Sequence, residues 1–546
     1  MRTAHDMQIN GKNIPWKTLG ELLEDKAARH GGKMFAEIDG VRVSYVELER
    51  RSRHVAGGLL ALGLAPGDRV ATFMLNALEQ LLVWFGTVRA GLVWVPLNAG
   101  LVGQDLRYTL TNSGARVLVA DTESLPHFLE VAAQTQMLSL YVVADAKTAA
   151  ASGAQPYAAL EAGPLPTTLP ATRAEDPGAI LYTGGTTGLP KGVVLPQFSF
   201  ILSGVRYGES FSVRAGERHY STMPLFHAGA LQWGLMGPLV CDMSTVIDRR
   251  FSASRYFERV REVEANVIDP LGVVLTMLCR RPPSPQDREH KVRISLGATQ
   301  GLPSHIPDEF TRRFGIPLVM VYGLTEGGGA MLTTNRDRKD DSNGSPHGWV
   351  ELRILDEDGF PLPDGETGKL VLRSNFPFMF MTGYWNDPAR TAQVLKDGWL
   401  HSGDLGWLQA DGRLRFIGRE AHWLRRRGEN ISAVEVETVL AKCPGVKEVA
   451  VVAGPSEIGE DEVKAFVVAE EGAQLAPAEL VAWCEDKLAP FKVPRFVEFI
   501  ALLPRSVAKM EIDRAALRKR PNDAAWDRER EQPRAARGKS SPPAQQ

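Results

Sequence analysis

The chain has 546 residues, of which 44% are hydrophobic and 23% are charged, and its formal net charge is −2. This length predicts several domains or one large multi-lobed unit, and the composition is sufficient for a large core. The nearly balanced charge excludes the basic surplus that is typical of nucleic-acid-binding proteins, so no nucleic-acid partner is predicted.

No targeting segment or membrane span is predicted. The first 16 residues lack the basic region followed by an apolar region that forms a signal peptide. The most apolar stretch, 81–102, is interrupted by Arg89, Pro96 and Asn98, and it predicts a buried helix followed by a buried strand. The four cysteines form no CxxC pair. Together these patterns predict a cytoplasmic protein, and they leave a homodimer open.

Helical apolar spacing comes first in the chain. It covers 18–30 and then 44–62, where Ser44 is the expected N-cap and Glu47, three residues later, completes a capping box. Beyond this helix, short apolar strands alternate with helical segments. The alternation predicts parallel strands with crossover helices, and continuous apolar strands such as RVLVA predict a sheet buried on both faces.

The pattern changes later in the chain. The segment 148–175 is rich in Ala, Pro and Thr and predicts a surface connection. From Gly348, alternating runs separated by DEDG and PDGE turns predict hairpins. A smaller α+β region follows at 421–518, and the polar residues from Pro521 onward predict a disordered tail.

The segment TGGTTGLPKG, from Thr183 to Gly192, has the composition of a phosphate-binding loop. Glycines allow several backbone N–H groups to face one anion, threonine hydroxyls add donors, and Lys191 adds a positive charge. The spacing differs from the Walker pattern, which requires GK[ST] after four spacer residues. The alternative is an ordinary glycine-rich turn between two strands.

Two further segments carry candidate ligand residues. In VYGLTEGGG, Glu326 follows a predicted strand, where a carboxylate is a natural Mg²⁺ ligand beside substrate phosphates. In HSGDLGW, Asp404 is predicted to lie in a loop between glycines and to accept both hydroxyls of a ribose. Arg419 is predicted to end a later strand, where an arginine can reinforce ribose or phosphate binding. The alternatives are a solvated glutamate, a turn aspartate and a surface arginine.

The order and spacing of these segments resemble the acyl-adenylate-forming superfamily, which includes acyl-CoA synthetases, peptide-synthetase adenylation domains and firefly luciferase. The resemblance covers residues 15–518. It implies an α/β fold with a large N-terminal AMP-binding and acyl-binding domain, 1–419, that contains two doubly wound subdomains and a β-rich lobe. A small mobile α+β domain, 420–520, and a disordered tail, 521–546, complete the predicted organisation.

The resemblance implies a nucleotide-binding role for each matching residue. The glycine-rich loop is similar to the family's loop for the β- and γ-phosphates of ATP, with Gly184 in place of the usual serine. Tyr322, Gly323 and Thr325 resemble the segment that contacts adenine and the adenylate phosphate. The implied ATP ligands are Thr183, Gly184, Gly185, Thr186, Thr187, Lys191, Tyr322, Gly323, Thr325, Asp404 and Arg419.

Other matches imply the catalytic groups. Glu326 matches the family's magnesium-binding glutamate. In MPLFHAGAL, His227 resembles the gate beside the acyl carboxylate, and the alternative is a helix-capping or core histidine. Thr187 and Lys509 complete the set of residues expected to act in catalysis.

Two departures from the family pattern lie in the C-terminal region. The hinge position, often Lys or Asp, is Ala421 in this chain. RRRGENIS resembles the family's GGENI segment, with Arg427 in place of the first glycine, and Arg425 and Gly428 are its candidate cofactor-binding residues. By charge alone, Arg425, Arg426 and Arg427 are attractive partners for CoA phosphates. A solvated basic loop is the alternative. The family's adenylation lysine is expected in LPRSVAKMEIDR, where Lys509 is the candidate although it stands one residue early.

The implied function is that of an ATP-dependent acyl-CoA ligase that uses ATP, Mg²⁺ and coenzyme A. RGENIS, APFKVP and DEVKAFVV also resemble the carnitine/crotonobetaine-CoA ligase branch. The alternatives are an adenylating enzyme that loads a carrier protein, and a degenerate member that only binds nucleotide or acyl ligands. Medium-chain, aromatic, alicyclic and steroid-derived acids remain open as substrates. Small residues, including Gly297, Gly327, Gly328 and Gly329, are expected to leave room for a bulky acyl group.

Overall fold

The fold is that of a computed structural model of the chain. The structure describes residues 8–9, 12–183, 189–297, 305–336, 340–419, 423–426, 429–455, 461–485, 487–505 and 512–531. Contacts divide the chain into two compact units, Met1–Phe416 and Ile417–Gln546.

The strands alternate with helices through most of the chain. In chain order they are β1 (Gln8–Ile9), β2 (Lys12–Asn13), β3 (Met34–Ile38), β4 (Val41–Ser44), β5 (Arg69–Phe73), β6 (Val93–Leu97), β7 (Ala115–Asp121), β8 (Ser139–Val143), β9 (Gln155–Pro156), β10 (Pro177–Thr183), β11 (Lys191–Pro196), β12 (Arg218–Ser221), β13 (Ser244–Ile247), β14 (Val267–Ile268), β15 (Ile294–Gly297), β16 (Leu318–Leu324), β17 (Gly329–Asn335), β18 (Val350–Leu355), β19 (Gly368–Ser374), β20 (Gly383–Tyr384), β21 (Leu395–Lys396), β22 (Trp399–Leu408), β23 (Leu414–Arg419), β24 (Trp423–Arg426), β25 (Glu429–Ser432), β26 (Val446–Pro455), β27 (Asp461–Ala469), β28 (Phe496–Phe499) and β29 (Trp526–Asp527).

The α-helices are α1 (Leu19–His30), α2 (Tyr45–Ala61), α3 (Leu78–Arg89), α4 (Gly103–Ser113), α5 (Leu125–Leu129), α6 (Ala146–Ala151), α7 (Tyr157–Glu161), α8 (Gln197–Phe211), α9 (Gly237–Val240), α10 (Tyr256–Glu262), α11 (Val273–Cys279), α12 (Ile306–Phe314), α13 (Pro388–Val394), α14 (Ala433–Leu440), α15 (Pro477–Glu485), α16 (Arg514–Arg518) and α17 (Arg528–Glu531). Short 3₁₀ turns occur at Ala132–Gln134, Pro285–Arg288 and Thr325–Gly327, and a π-helical segment occurs at Ala230–Met236.

Local sequence signals place the first helices as predicted. α2 begins with a reciprocal capping box, in which Ser44 N–H donates to Glu47 Oε2 at 2.9 Å and Glu47 N–H donates to Ser44 Oγ at 3.3 Å. α3 and β6 fall inside the apolar stretch 81–102 or overlap it, and both are almost wholly buried. None of the helices among the described residues is long and apolar enough to cross a membrane.

The first unit contains two large sheets built mainly from parallel strands. One has the order β6-β5-β7-β8-β9, and every neighbouring pair in it is parallel. The other has the order β17-β16-β15-β14-β12-β13-β3-β4, with antiparallel strands at its two edges. Helices connect the parallel strands, so the prediction of an α/β fold with two doubly wound sheets is confirmed.

Antiparallel structure makes up the rest of the first unit. β18, β19, β22 and β21 form a sheet that β23 extends, and the predicted hairpin is the pair β18 and β19. A separate three-stranded sheet has the order β10-β11-β20. This small sheet matters for function because β10 and β11 flank the glycine-rich loop.

The second unit is a smaller α+β structure. Its central sheet has the order β26-β27-β28-β29, and α14 and α15 contribute to an apolar core that includes Val436, Leu480 and Val497. β24 and β25 form an antiparallel hairpin. The described residues of RRRGENIS therefore lie in the two strands of this hairpin, and Arg427 and Gly428 lie outside the described residues.

The segment 148–175 is more structured than its composition suggests. It contains the end of α6 together with β9 and α7, and Tyr157 and Leu160 are buried. Its backbone lies directly against α2, where a Cβ at Gly57 or Gly58 would overlap the carbonyl oxygens of Pro164 and Leu160. Glycines on α2 allow this close approach, which the sequence of 148–175 alone does not reveal.

The predicted start of a disordered tail at Pro521 is also wrong. β29 pairs with β28, and Arg495 donates to Asp527 through two nitrogens at 3.1 Å each. Trp526 packs against the apolar core of the second unit. The second unit therefore includes structured residues as far as Glu531.

We expect Trp526→Ala to lower the free energy of unfolding of the second unit by about 2 kcal/mol, because the large ring fills part of its core. Trp526→Phe retains most of the apolar contact and is the matched control. Chemical denaturation followed by circular dichroism measures both variants. An unfolding curve for Trp526→Ala that overlays that of the unaltered protein would contradict the assignment of this strand to the core.

Candidate active site

The glycine-rich loop connects two antiparallel strands. β10 ends at Thr183, which is paired with Lys191 at the start of β11, so the loop leaves and re-enters the sheet at one point. Gly184, Gly185, Thr186 and Thr187 lie outside the described residues. Thr183 and Lys191 are therefore the residues at the base of the loop.

Tyr384 connects this hairpin to the acidic segment. β20 pairs with β11, with Tyr384 opposite Val193. The Lys191 Nζ lies 5.2 Å from the centroid of the Tyr384 ring, within the range of a cation–π contact. Tyr384 Oη donates to Glu326 Oε1 at 2.9 Å. One aromatic side chain therefore contacts both the candidate phosphate-binding lysine and the candidate metal ligand.

Glu326 lies in a 3₁₀ turn immediately after β16, as predicted for a carboxylate at a strand end. The pairing of β16 with β17 shifts between Tyr322 and Leu324, which leaves Gly323 outside the regular ladder. Met381 N–H donates to the Glu326 carbonyl at 2.9 Å. Met381 thus fixes the backbone of Glu326, and Tyr384 fixes its side chain. Thr325 is the first residue of the same turn.

Asp404 lies in a strand, not in the predicted loop. It belongs to β22 and pairs with Leu370, and it is only 2% exposed. The ladder shifts at this point, where Gly403 has φ of +69°, and the irregularity returns the chain to the sheet at Asp404. Such a bulge re-aims a side chain without ending the strand. The glycines beside Asp404 mark this bulge, and they do not mark a loop.

A hydrogen bond joins the side chains of Tyr322 and Asp404. Tyr322 Oη donates to Asp404 Oδ2 at 2.7 Å, and Asp404 N–H donates to Ser402 Oγ at 3.0 Å. Phe416 packs against the Tyr322 ring with 5.6 Å between the ring centroids. The candidate ribose ligand and the candidate adenine-binding segment therefore form one buried cluster in the first unit.

His227 follows a segment that is fixed by a buried asparagine. Asn76 Nδ2 donates to the Met223 carbonyl at 3.0 Å, and Asn76 Oδ1 accepts from Leu225 N–H at 2.7 Å. His227 is half-buried, and its carbonyl accepts from Leu231 N–H at 3.2 Å where the π-helical segment begins. π-helical segments are frequent at functional sites. The histidine thus lies on a held segment at the start of an unusual helix.

The glycines that were expected to leave room for the acyl group are enclosed by protein atoms. A Cβ at Gly328 would overlap the Met379 carbonyl oxygen, and one at Gly297 would lie 2.6 Å from Leu318 Cδ1. A Cβ at Gly327 would lie 2.6 Å from Leu332 Cδ1. These glycines permit close packing within the protein, so their small size does not provide volume for a substrate.

The remaining predicted residues belong to the second unit. Arg419 is the last residue of β23. Arg425 lies in β24, where its backbone pairs with Asn430, whereas Gly428 lies outside the described residues. Lys509 and Ala421 also lie outside the described residues.

Both ends of the segment that carries Lys509 are nevertheless described. Arg505 and Ile512 form an antiparallel bridge, and Asp513 N–H donates to the Pro504 carbonyl at 2.8 Å. The segment 506–511 therefore begins and ends at one point of the second unit.

Two ion pairs fix this point. Arg505 Nη2 donates to Glu448 at 2.9 Å, and Arg514 Nη2 donates to both carboxylate oxygens of Glu437 at 2.7 Å. Burial raises the pKa of the Glu437 carboxyl, and the adjacent Arg514 opposes this shift by favouring the charged form. Glu437 Oε1 also accepts from Val451 N–H at 2.7 Å, which ties the pair to β26.

The comparisons with known proteins agree with this geometry. The chain belongs to the AMP-binding enzyme family, which matches residues 23–385, and the AMP-binding enzyme C-terminal domain matches residues 435–508. A crotonobetaine/carnitine–CoA ligase of Salmonella typhi is 31% identical, over 91% of this chain and 97% of that protein.

Solved structures show the same architecture. A benzoate CoA ligase from Burkholderia xenovorans LB400 matches with a TM-score of 0.82 and 26% identity, over 92% of this chain and 100% of that one. ATP-bound MatB from Rhodopseudomonas palustris also has a TM-score of 0.82 and 26% identity, over 92% and 98% of the two chains. The predicted superfamily, the fold class and the enzyme class, an AMP-forming acyl-CoA synthetase, are confirmed.

Sequence reasoning missed Tyr384 and Asn76. Tyr384 is 58 residues from its partner Glu326, and Asn76 is 149 residues from Leu225. Neither stands in a glycine-rich or acidic segment that would draw attention to it. The only local signal was the position of Tyr384 between Gly383 and Trp385, in a short strand.

We expect Tyr384→Phe to lower kcat/KM for Mg-ATP in pyrophosphate release by about 10-fold, because a hydrogen bond to a charged group contributes about 1.5–3 kcal/mol. The phenyl ring keeps the contact with Lys191, so only the hydroxyl is tested. Tyr384→Leu removes both contacts and is expected to have the larger effect. An unchanged kcat/KM in Tyr384→Phe would contradict a role for the hydroxyl in holding Glu326.

Proposed function

We propose that this enzyme activates a carboxylic acid as an acyl-adenylate and then transfers the acyl group to coenzyme A. In the first step a carboxylate oxygen attacks the α-phosphorus of ATP, and the bond from that phosphorus to pyrophosphate breaks. In the second step the CoA sulfur attacks the acyl carbon, and the carbon–oxygen bond to AMP breaks. The products are pyrophosphate, AMP and an acyl-CoA.

The observation that carries the proposal is the connected set of side chains at the carboxyl end of β16. Lys191 contacts the ring of Tyr384, and the Tyr384 hydroxyl donates a hydrogen bond to Glu326. Four residues before Glu326, the Tyr322 hydroxyl donates a hydrogen bond to Asp404. The set offers a cation and two carboxylates on a rigid framework. Phosphoryl transfer depends mainly on such positioning and on electrostatic stabilisation of the phosphate oxygens.

The proposed roles follow from the chemistry of each group. Lys191 and the loop after Thr183 bind the β- and γ-phosphates. Asp404 accepts the ribose hydroxyls, and Arg419 reinforces that contact. His227 lies beside the acyl carboxylate. In the second unit, Arg425 binds a phosphate of CoA through its charge, and Gly428 is a further candidate cofactor-binding residue because RGEN resembles the family's GGENI segment.

Glu326 is the residue that would hold Mg²⁺. Its carboxylate is half-buried at the end of a strand and uses one oxygen to accept from Tyr384. Mg²⁺ is usually bound by one or two carboxylates together with substrate phosphates, so a single glutamate fits this ion. When bound, the ion would neutralise charge on the phosphate oxygens during adenylate formation.

The relatives support the type of reaction and not one particular acid. Among them is a crotonobetaine/carnitine–CoA ligase that is 31% identical to this chain. An amino-acid substrate is disfavoured because Phe226 is followed by His227 where peptide-synthetase domains usually have an aspartate that binds the amino group. A cytoplasmic location and a homodimer remain part of the proposal.

Pyrophosphate release with Mg-ATP across a panel of carboxylic acids, with and without CoA, tests the function. We expect release that requires one class of acid and that CoA stimulates, with acyl-CoA detected by mass spectrometry. Asp404→Ala removes the proposed ribose ligand, so this variant should release less pyrophosphate and bind ATP more weakly. ATP binding without release for any acid would favour the degenerate alternative, and acyl-AMP formation without CoA stimulation would favour carrier-protein loading.

Lys509 is proposed as the residue that stabilises charge on the α-phosphate during adenylation. Its segment is anchored at both ends, by the ion pairs of Arg505 and Arg514. The one-residue shift from the family pattern therefore occurs inside a segment whose ends are fixed.

Lys509→Ala is expected to slow acyl-AMP formation by about 100-fold or more, since removing one such electrostatic contact from a transition state costs several kcal/mol. Thioester formation from supplied acyl-AMP and CoA should remain within about 3-fold of the unaltered enzyme, because the adenylate is already formed. Lys519→Ala, an exposed lysine in the same unit, is the control and should change neither step. Equal losses in both steps would contradict the assignment.

A further inference from the structure

Arg206 is a buried cation that the proposed mechanism does not use. It lies in α8 and is 2% exposed. Its Nε and Nη2 atoms are buried, and no hydrogen-bond partner for them lies among the described residues. Burial lowers the pKa of the Arg206 guanidinium to about 9, because removal from water disfavours its charged form.

The protein supplies only weak compensation for this charge. The Arg206 guanidinium lies 5.6 Å from the centroid of the Trp349 ring, and Trp349 Nε1 donates to Glu209 Oε2 at 2.9 Å. Glu209 raises the pKa of Arg206 through space, but no hydrogen bond joins the two side chains among the described contacts. Buried cations in proteins are normally paired with hydrogen-bond acceptors. An acceptor placed beside the N–H donors of Arg206 would therefore stabilise the buried charge.

The guanidinium lies against the segment that follows Glu326. A Cβ built at Gly329, three residues after Glu326, would lie 2.7 Å from Arg206 Nη2 and 3.2 Å from Gln232 Oε1. Gly329 has φ of +154°, a backbone conformation that favours glycine, and the missing Cβ leaves the space that the guanidinium occupies. Two turns before Arg206 in α8, Ser199 donates to the Met379 carbonyl beside Gly328.

Gln232 brings a second site segment to the same place. It belongs to the π-helical segment that begins three residues after His227. The guanidinium of Arg206 is therefore enclosed by the continuation of the Glu326 turn and by the helix that follows the His227 segment. Under the proposed function, the reacting carboxylate lies beside His227, and the rest of the acyl group extends away from the phosphates.

We propose that Arg206 recognises the far end of the acyl substrate, and that the substrate is a carboxylic acid with a second oxygen acceptor, either a carboxylate or a ketone. This acceptor takes hydrogen bonds from the Arg206 guanidinium and supplies the partner that the protein lacks among its described residues. Acids whose far end is cationic, such as betaines, are disfavoured because they would place like charges together in a water-poor site. The inference rests on the proposed acyl-CoA ligase function.

Matched triplets of acids test the inference. 6-Methylheptanoate, 6-oxoheptanoate and adipate have nearly the same shape and differ only at the far end, and 4-isopropylbenzoate, 4-acetylbenzoate and terephthalate form an aromatic set. Pyrophosphate release gives kcat/KM for each acid with the unaltered enzyme, Arg206→Met and Arg206→Lys. Thermal unfolding of each variant reports on folding.

The unaltered enzyme should prefer an oxygen-bearing acid over its alkyl partner by about 10- to 100-fold, the range for a hydrogen bond to a charged group. Arg206→Met should abolish or reverse this preference while it retains activity with the alkyl acid. Arg206→Lys should keep part of the preference, because the charge remains and the two-pronged donor is lost. Comparison of the ketone and the dicarboxylate identifies which acceptor is bound.

Equal losses for all acids in Arg206→Met, with the preference unchanged, would overturn the inference and assign Arg206 a structural role. The same preference in the unaltered enzyme and in Arg206→Lys and Arg206→Met would also overturn it. These results differ from a failure of the proposed function, in which no acid supports pyrophosphate release in the unaltered enzyme.

Discussion

The candidate site depends on two hydrogen bonds that fix the carboxyl end of β16. Tyr322 near the end of this strand bonds Asp404, and Glu326 in the following turn bonds Tyr384. These two hydrogen bonds attach the central parallel sheet to the β-rich sheet and to the hairpin that carries Lys191. Polar groups from distant parts of the chain are thereby fixed at one strand end, the usual location of ligand sites in α/β sheets.

Glycine has different physical roles at different points of this framework. At Gly403 it allows a bulge that returns the chain to the sheet at Asp404, and at Gly329 it allows Arg206 to approach the backbone. At Gly328 it prevents a clash with the Met379 carbonyl. A glycine near a site is thus a weak indicator of pocket volume, because the space beside it is often filled by the protein.

Much of the fold was predictable from local signals. The capping box of Ser44 and Glu47, the apolar strands and the hairpin after Gly348 all follow from short-range physical chemistry, and so does the position of Glu326 after a strand. The predictions that failed depended on distant partners. The strand at Trp526, where a disordered tail was predicted, depends on pairing with β28. The volume expected beside Gly328 is filled by the Met379 carbonyl, which is remote in sequence. Tyr384 and Arg206 likewise acquire their meaning only from residues that are remote in sequence.

The most direct test of the account uses an acid that supports turnover, labelled with oxygen-18 in its carboxylate. If the carboxylate attacks the α-phosphorus of ATP, one labelled oxygen is retained in AMP after the thiol displaces it, and mass spectrometry of the released AMP measures this transfer. We expect one oxygen-18 atom per AMP formed and none in pyrophosphate. Unlabelled AMP, or label in pyrophosphate or inorganic phosphate, would contradict an acyl-adenylate intermediate and with it the proposed use of Lys191, Glu326 and Asp404.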